Sequence, residues 1–349
     1  MIIKGISVYP GLDNTLEENL NLIEKAGTLG YRKLFVSLHI PETNKEILEK
    51  EIQKIIQLAT KCKMEVIADI SAETKKLPGI TSFRLDEGFS PKEVGILLAE
   101  DGKRKIVLNA STLTDKFLQE LGKAKVDFRR ITALHNFYPH RETGLDEAFF
   151  LQQNTLLAQY GILTGAFIVS QQGPRGPLYE GLPSLEKTRK MAPDLAARYL
   201  AALGVAEIII GDSMPAEEEL KDVAAVQDGI VVLGVTDITG NPVLRDFLKG
   251  TFTIRPEKGK ELLRTVESRG VLKGQIIKPT VMQMRPAGTV TIDNNLFGRY
   301  QGELTITKEH LPPEFRTTVV GHLPEEEVFL LKYLQPGTKF HFKSRTFGF

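Results

Sequence analysis

Residues 207–213 read EIIIGDS. An apolar triplet bounded by Gly and Asp has the composition of a fully buried strand, and it is the last of a series. Working back toward the N-terminus, β-rich runs occur at 162–169, 131–137, 105–109, 80–85, 64–70, 34–38 and 3–8. Helical patterns separate them at 15–29, 44–61, 91–99, 115–122, 146–160 and 184–203, with 217–226 following the last strand. Asn14 and Ser90 stand where N-caps belong, Pro91 at a first helical position, and Pro193 predicts a break in the sixth helix. Eight strand–helix units in succession predict a parallel sheet. Eight is also the closure number of the α/β (β/α)8 TIM barrel, ordinarily about 250 residues long. An open doubly wound sheet is the alternative, but Tyr9-Pro10-Gly11 follows the first strand in place of a Gly-x-Gly-x-x-Gly loop. The unit at 71–79 is irregular, too short for a full helix and containing Pro78.

The chain has 349 residues, room for a barrel plus an appendage. Beyond 235 the pattern changes to short alternating runs at 250–254, 275–283, 289–293, 303–307 and 339–344, with turn signals between them. This predicts a barrel over 1–235 and a smaller, mostly β domain over 236–349. Basic residues number 45 and acidic residues 44, a balance that argues against a general nucleic-acid or membrane-surface binder. The single cysteine, Cys62, excludes an internal disulfide framework and a multi-cysteine zinc site. The N-terminal residues lack the pattern of a signal peptide, and no apolar run approaches the roughly 20 residues needed to cross a bilayer. The cytoplasm is the expected compartment.

A barrel of this kind carries its site at the C-terminal ends of its strands. Those ends deliver Tyr9, His39 with Glu42 beyond it, Asp69, Asp86 with Glu87, Asn109, His135 with Asn136, and Asp212. The Gly/Pro-rich loop QQGPRGPLYEGLP (171–183) adds Arg175, Tyr179 and Glu180. Several carboxylates around one pocket shift one another's pKa, which lets one donate a proton while another stays ionised. The structural alternatives are that Asp86 pairs with Arg84 or caps a turn, that Asp212 caps a helix, and that His135 is a hydrogen-bonded core histidine. Arg175 between glycines suits an anionic oxygen cluster. No HxH follows the first strand and there is no HExxH, so no metal or other cofactor is expected. Strands six and seven end without a lysine, which argues against Schiff-base chemistry. In the second domain, Arg285 and the run 293–300 either reach a substrate or form a surface pair and a turn.

GISVYP, LHIPE, ADIS, RLDEGF, LNAST, HNFYP, RGPLYEGLPSLEKTR, IIGDS and RPAGTVTIDNNLFGRYQGEL together resemble one bacterial family over nearly the whole chain. Its members, once labelled outer surface protein, are regarded as 6-phospho-N-acetylmuramidases, glycoside hydrolases of cell-wall recycling. The resemblance implies a (β/α)8 barrel followed by a cyclophilin-like β domain. It also implies cleavage of 6-phospho-N-acetylmuramyl-β-1,4-N-acetylglucosamine inside the cell. Glu87, beside Asp86, departs from the pattern expected of many relatives.

Glycoside hydrolysis uses paired carboxylates, separated by roughly 6.5–9.5 Å for inversion and 5–5.5 Å for retention. The candidate catalytic acids are Asp69, Asp86, Glu180 and Asp212. The candidate substrate contacts are Glu42, Asn109, His135, Asn136 and Tyr179, with Arg175 and Arg285 for phosphate or carboxylate. The expected partner is a small phosphosugar, with neither nucleic acid nor membrane, and homodimerisation through the β domain is left open. The alternatives are a sugar-phosphate isomerase or epimerase using the same acids and histidine, and a non-catalytic carbohydrate-binding protein.

Overall fold

Successive residues of a strand point to opposite faces, so the phase of each strand decides which side chains enter the barrel. The structure, a computed structural model, describes all residues except 1, 39, 41, 70–77, 81, 87 and 346–349. His39, Glu87 and most of the irregular 71–79 unit therefore lie outside the described residues.

Eight strands pair in parallel in chain order: β1 (Ile3–Val8), β2 (Lys33–Val36), β3 (Glu65–Asp69), β4 (Ser82–Leu85), β5 (Lys105–Asn109), β6 (Ile131–Leu134), β7 (Leu163–Ile168) and β8 (Glu207–Ile210). Pairing of Ile3–Ile6 with Glu207–Ile210 closes the barrel. The helices are α1 (Leu16–Thr28), α2 (Lys45–Lys61), α3 (Pro91–Glu100), α4 (Asp115–Lys123), α5 (Glu147–Gln159), α6 (Pro193–Ala202) and α7 (Glu217–Ala224). Pro193 takes the first position of α6, and the stretch before it makes only a 3₁₀ turn at Glu186–Thr188. Ser90 caps α3 in a reciprocal box with Glu93. Thr15, not Asn14, caps α1 in the same way with Glu18, while the Asn14 amide donates to the Ser213 carbonyl at 2.9 Å.

The barrel interior is layered. Phe35, Ile67, Val107, Leu134, Phe167 and Ile209 form an apolar plug, closed above by Tyr9 and Leu182. Beneath it Lys33 is buried between Glu65 at 3.2 Å and Glu207 at 3.1 Å. Gly5 and Gly165 make room for these long side chains: a Cβ at Gly5 would lie 2.8 Å from Lys33 Cβ, and one at Gly165 3.0 Å from Glu207 Cβ. This end carries structure, since the chemistry of such barrels sits at the opposite end.

The chain divides into two compact units, Met1–Val226 and Gln227–Phe349. The boundary drawn at 235 from the sequence lies inside the second of these units. The run β9 (Ile230–Val235) ladders in parallel with β15 (Lys339–Ser344) over its whole length, within the second unit. The eight barrel strands already saturate one another, so no barrel edge is open to a ninth.

The second unit holds a three-stranded sheet in the order β10-β15-β9, with β10 at Thr251–Thr253. It also holds a four-stranded antiparallel sheet in the order β11-β13-β12-β14, from Leu262–Arg264, Leu304–Thr307, Thr289–Asp293 and Thr317–His322. Phe252, Phe340 and Phe342 pack together on the first sheet. The expected strand at 275–283 does not form. Pro279 removes a ladder donor, and side chains satisfy the backbone instead: Gln301 bonds Gln275 and Ile277, and Thr318 bonds Lys278. Among the described residues, no helix is long and apolar enough to cross a membrane.

Removing one member of a buried ion cluster leaves uncompensated charge, at a cost of about 3–5 kcal/mol. Lys33→Met is expected to lose that much stability in urea unfolding, and the pair Lys33→Met with Glu207→Gln to recover part of it. A single variant within about 1 kcal/mol of wild type, well short of that cost, would contradict this account of the lower layer.

Candidate active site

Strands β3 to β6 turn polar at and just beyond their C-terminal ends. Ile67 is followed two residues later by Asp69, Ser82 by Arg84 and Asp86, Val107 by Asn109, and Leu134 by Asn136. The register pairs Asp69 with Arg84. Arg84 is buried, and its Nη1 lies 2.8 Å from Asp69 Oδ1 while its Nη2 lies 3.4 Å from Asp86 Oδ1. Nη2 also donates to the Asn136 amide oxygen. Burial opposes the Arg84 charge, but Asp69 and then Asp86 outweigh it and raise its pKa above the ordinary value. Asn109 donates from Nδ2 to Asp86 Oδ1 at 3.0 Å. Four strand ends thus converge on one guanidinium with two carboxylates beside it. The expected Asp86–Arg84 pair is present, and it is part of the site.

His135 is a core histidine. Its Nδ1 meets Ser111 Oγ at 3.2 Å, its Nε2 meets Asn154 Oδ1 at 3.0 Å, and its ring stacks on Phe150 at 4.3 Å. Burial lowers its pKa to about 4, so at neutral pH the ring is uncharged. Its role is to fix Ser111, whose hydroxyl accepts from the Asn136 backbone N–H at 3.1 Å and so sets Asn136 facing Arg84.

On the β7–β8 side the loop 170–182 presents Arg175. Its side chain is buried, with the guanidinium 4.8 Å from the Tyr9 ring centre and 5.2 Å from that of Phe137. Nε donates to the Gly176 carbonyl at 3.0 Å, and Nη1 has no hydrogen-bond partner among the described residues. A buried donor on a charged group is costly to leave unpaired, so this guanidinium is able to receive an anion. Burial above all raises the pKa of the Tyr9 phenol, which stays a donor to the Gly211 carbonyl at 2.5 Å.

Asp212 sits beneath this loop and is fully buried. Its Oδ2 accepts from Ser170 N at 2.8 Å and its Oδ1 from Arg175 N at 3.0 Å, with the Leu182 backbone also donating to the carboxylate. It caps no helix. It pins both ends of the loop to β8. Three other residues complete the anchorage and were not singled out in the sequence. Asp13 accepts from Gly176 N at 2.8 Å. Glu219 accepts from Ser170 Oγ at 2.7 Å and Gln171 N at 2.8 Å. Arg189 donates to the carbonyls of Tyr138, His140, Glu180 and Gly181. Asp13 lies on the loop after β1 and Arg189 ends the stretch SLEKTR, so position and motif were the available signals.

The remaining candidates divide. Glu180 is paired with Arg141, at 3.0 Å to Nε and 3.2 Å to the backbone N–H. Tyr179 is 60% exposed at a positive φ of 53°, with its hydroxyl 3.4 Å from Asp13. Glu42 is exposed in the turn after β2. Arg285 lies in the second unit, where its Nε donates to the Pro312 carbonyl at 2.9 Å. The run after Asp293 makes a turn: buried Asn294 accepts from Leu296 N at 3.1 Å and donates to the Phe315 carbonyl at 2.9 Å. Among the described residues, no three His, Cys, Asp or Glu side chains come together as metal ligands would.

Burial raises the Asp212 pKa from 3.8 to about 6, against the backbone donors that lower it. A carboxyl whose folded pKa exceeds its unfolded value favours the native state when protonated, so its contribution is lost as pH rises through that window. At 1.36 kcal/mol per unit, the change is up to about 3 kcal/mol. Between pH 4 and 7, the stability of Asp212→Asn relative to wild type should therefore shift in the variant's favour by up to that amount. Urea unfolding of both proteins at the two pH values measures it, and parallel pH profiles would refute the assignment.

The profile described as the N-terminal part of 6-phospho-N-acetylmuramidase matches residues 4–225, and that of the C-terminal part matches residues 235–343. Among solved structures, an uncharacterized protein from B. cereus is 28% identical with a TM-score of 0.89, over 98% of this chain and 99% of its own. A conserved protein of unknown function from Enterococcus faecalis is 30% identical with a TM-score of 0.74, over 99% of this chain and 97% of its own. No curated protein matches. With both halves matched in order across residues 4–343, the chain belongs to the 6-phospho-N-acetylmuramidase family.

Proposed function

We propose that the barrel hydrolyses the β-1,4 bond of 6-phospho-N-acetylmuramyl-N-acetylglucosamine, as a cytoplasmic step of cell-wall recycling. The observation that carries this reading is the buried Arg175 guanidinium, whose Nη1 is unpartnered among the described residues, in a barrel whose mouth also holds Asp69 and Asp86 around Arg84. An anion receptor and a carboxylate pair suit an anionic sugar and glycosidic cleavage. The family supports the same substrate class, and a cyclophilin-like second domain belongs to the same proposal.

In this reading Asp69 and Asp86 divide the two roles of a glycosidase. One carboxyl protonates the leaving oxygen, and the other assists at the anomeric carbon, directly, through water, or by orienting the acetamido group of the substrate. Arg84 holds both in place, and Asn109 and Asn136 orient the sugar hydroxyls. Arg175 receives the phosphate or the lactyl carboxylate. Asp212 and Glu180 act on the loop rather than on the substrate, since their oxygens are occupied by the backbone and by Arg141. His135 is uncharged and bonded at both ring nitrogens, which removes the proton shuttle an isomerase would draw from it.

Purified protein incubated with the phosphorylated and the unphosphorylated disaccharide should release N-acetylglucosamine from the phosphorylated one only, read by mass spectrometry. Cleavage of neither by folded protein would overturn the proposal. Asp69→Asn and Asp86→Asn should each lower kcat by about 10²–10⁴-fold, the span of acid–base catalysis, with circular dichroism unchanged. Wild-type rates in both would exclude this pair. Arg175→Met should lower kcat/KM for the phosphorylated substrate about 10- to 100-fold, the worth of a hydrogen bond to a charged group, and narrow the preference for it. An unchanged preference would place the anion elsewhere.

A further inference from the structure

The mouth of the barrel is not symmetric in charge. In an eight-stranded ring, β4 and β5 stand across the mouth from β8 and β1. Arg175 packs on Tyr9 at the β1 side. On the far side, between the loops after β4 and β5, there is a pocket of about 340 Å³. Its lining is mixed, with Phe89 and Phe117 supplying aromatic surface, Leu108 and Leu113 aliphatic surface, and Asp86, Asn109 and Thr112 polar groups. Among the described residues that line it there is no lysine or arginine, and the charged group is the Asp86 carboxylate.

Pockets for small ligands begin at roughly 300 Å³, so this one has room for a single pyranose and not for a disaccharide. An aromatic wall with a polar edge suits a sugar ring, whose C–H face is apolar and whose rim carries hydroxyls. Asp86 is held through Oδ1 by Arg84 and Asn109, so its second oxygen can accept from a sugar hydroxyl, and no lysine or arginine among the described lining residues offers a phosphate or carboxylate a cation of its own.

We propose that this pocket is the subsite for the uncharged leaving sugar, N-acetylglucosamine, so that the disaccharide spans the mouth with its anionic residue toward Arg175. This rests on the hydrolase reading above. It puts the scissile bond over the Asp69–Arg84–Asp86 group, with Asp86 at the boundary between the two sugars. Water supplies OH to the anomeric carbon, the glycosidic C–O bond breaks, and the leaving oxygen takes the proton.

Thr112 is exposed at the pocket rim, so Thr112→Trp fills the entrance without disturbing the core. It should raise KM for the disaccharide at least 10-fold and leave the Ki of 6-phospho-N-acetylmuramic acid, a competitive inhibitor held on the Arg175 side, unchanged. Phe89→Ala, which removes an aromatic wall, should raise the same KM without moving that Ki. An unchanged KM in both variants, or equal changes in KM and Ki, would overturn the subsite. Saturation-transfer NMR with free N-acetylglucosamine tests the pocket independently of turnover: the signal should vanish in Thr112→Trp and persist in Arg175→Met. If wild type fails to cleave the disaccharide yet gives this pattern, the hydrolase reading falls and the sugar pocket stands. If wild type cleaves and the signal ignores Thr112→Trp, the reading stands and the subsite falls.

Discussion

The parallel ladder between Ile3–Ile6 and Glu207–Ile210 turns an open sheet into a cylinder. Closure removes both sheet edges and forces alternate residues of eight strands into one enclosed column. That column must be filled, and the fill is graded. Lys33, Glu65 and Glu207 occupy the lower end, an apolar plug the middle, and Asp69, Arg84, Asn109 and Asn136 the upper end. The plug isolates the two polar layers from each other. The upper layer then faces the mouth with its charges fixed by geometry rather than by solvent.

Arg84 is the centre of that upper layer. A lone buried guanidinium would be costly, and two carboxylates with an amide oxygen satisfy it. The same contacts hold the carboxylates at defined positions, which catalysis requires of groups that act together. On the other side of the mouth the arrangement is reversed. Asp212 is the buried charge, and backbone N–H groups from the loop 170–182 satisfy it. Burying that carboxylate is unfavourable in isolation, as its raised pKa records. The return is positional: the loop that carries Arg175 is fastened at its base by Asp212, Glu219 and Asp13, and held from outside by Arg189.

The second unit illustrates where reading by pattern stops. The runs at 289–293, 303–307 and 339–344 alternate clearly and are strands. Leu262–Arg264 is three residues long, too short for alternation to register, and 275–283 alternates without pairing because its backbone is satisfied by Gln301 and Thr318. Ile230–Val235 is an apolar run, and its neighbour β15 lies more than 100 residues away in sequence. Its membership in one unit or the other is a matter of hydrogen bonding at long range.

The sequence by itself marked eight strands alternating with helices, which favoured a barrel over an open sheet, because periodicity and capping are local properties, as at Ser90–Pro91 and Pro193. It also determined which strand ends carry Asp69, Asp86, Asn109, Asn136 and Asp212, because alternation sets which face each residue takes. Tertiary structure alone decided what these residues do. Asp69 and Asp86 share Arg84 because neighbouring strands bring them there, whereas Asp212 is enclosed by a loop that folds back from 30 to 42 residues upstream. His135 is a strut because Ser111 and Asn154 meet its two nitrogens. Environment, burial and partners fix the role of a polar group, and those are supplied by segments remote in sequence.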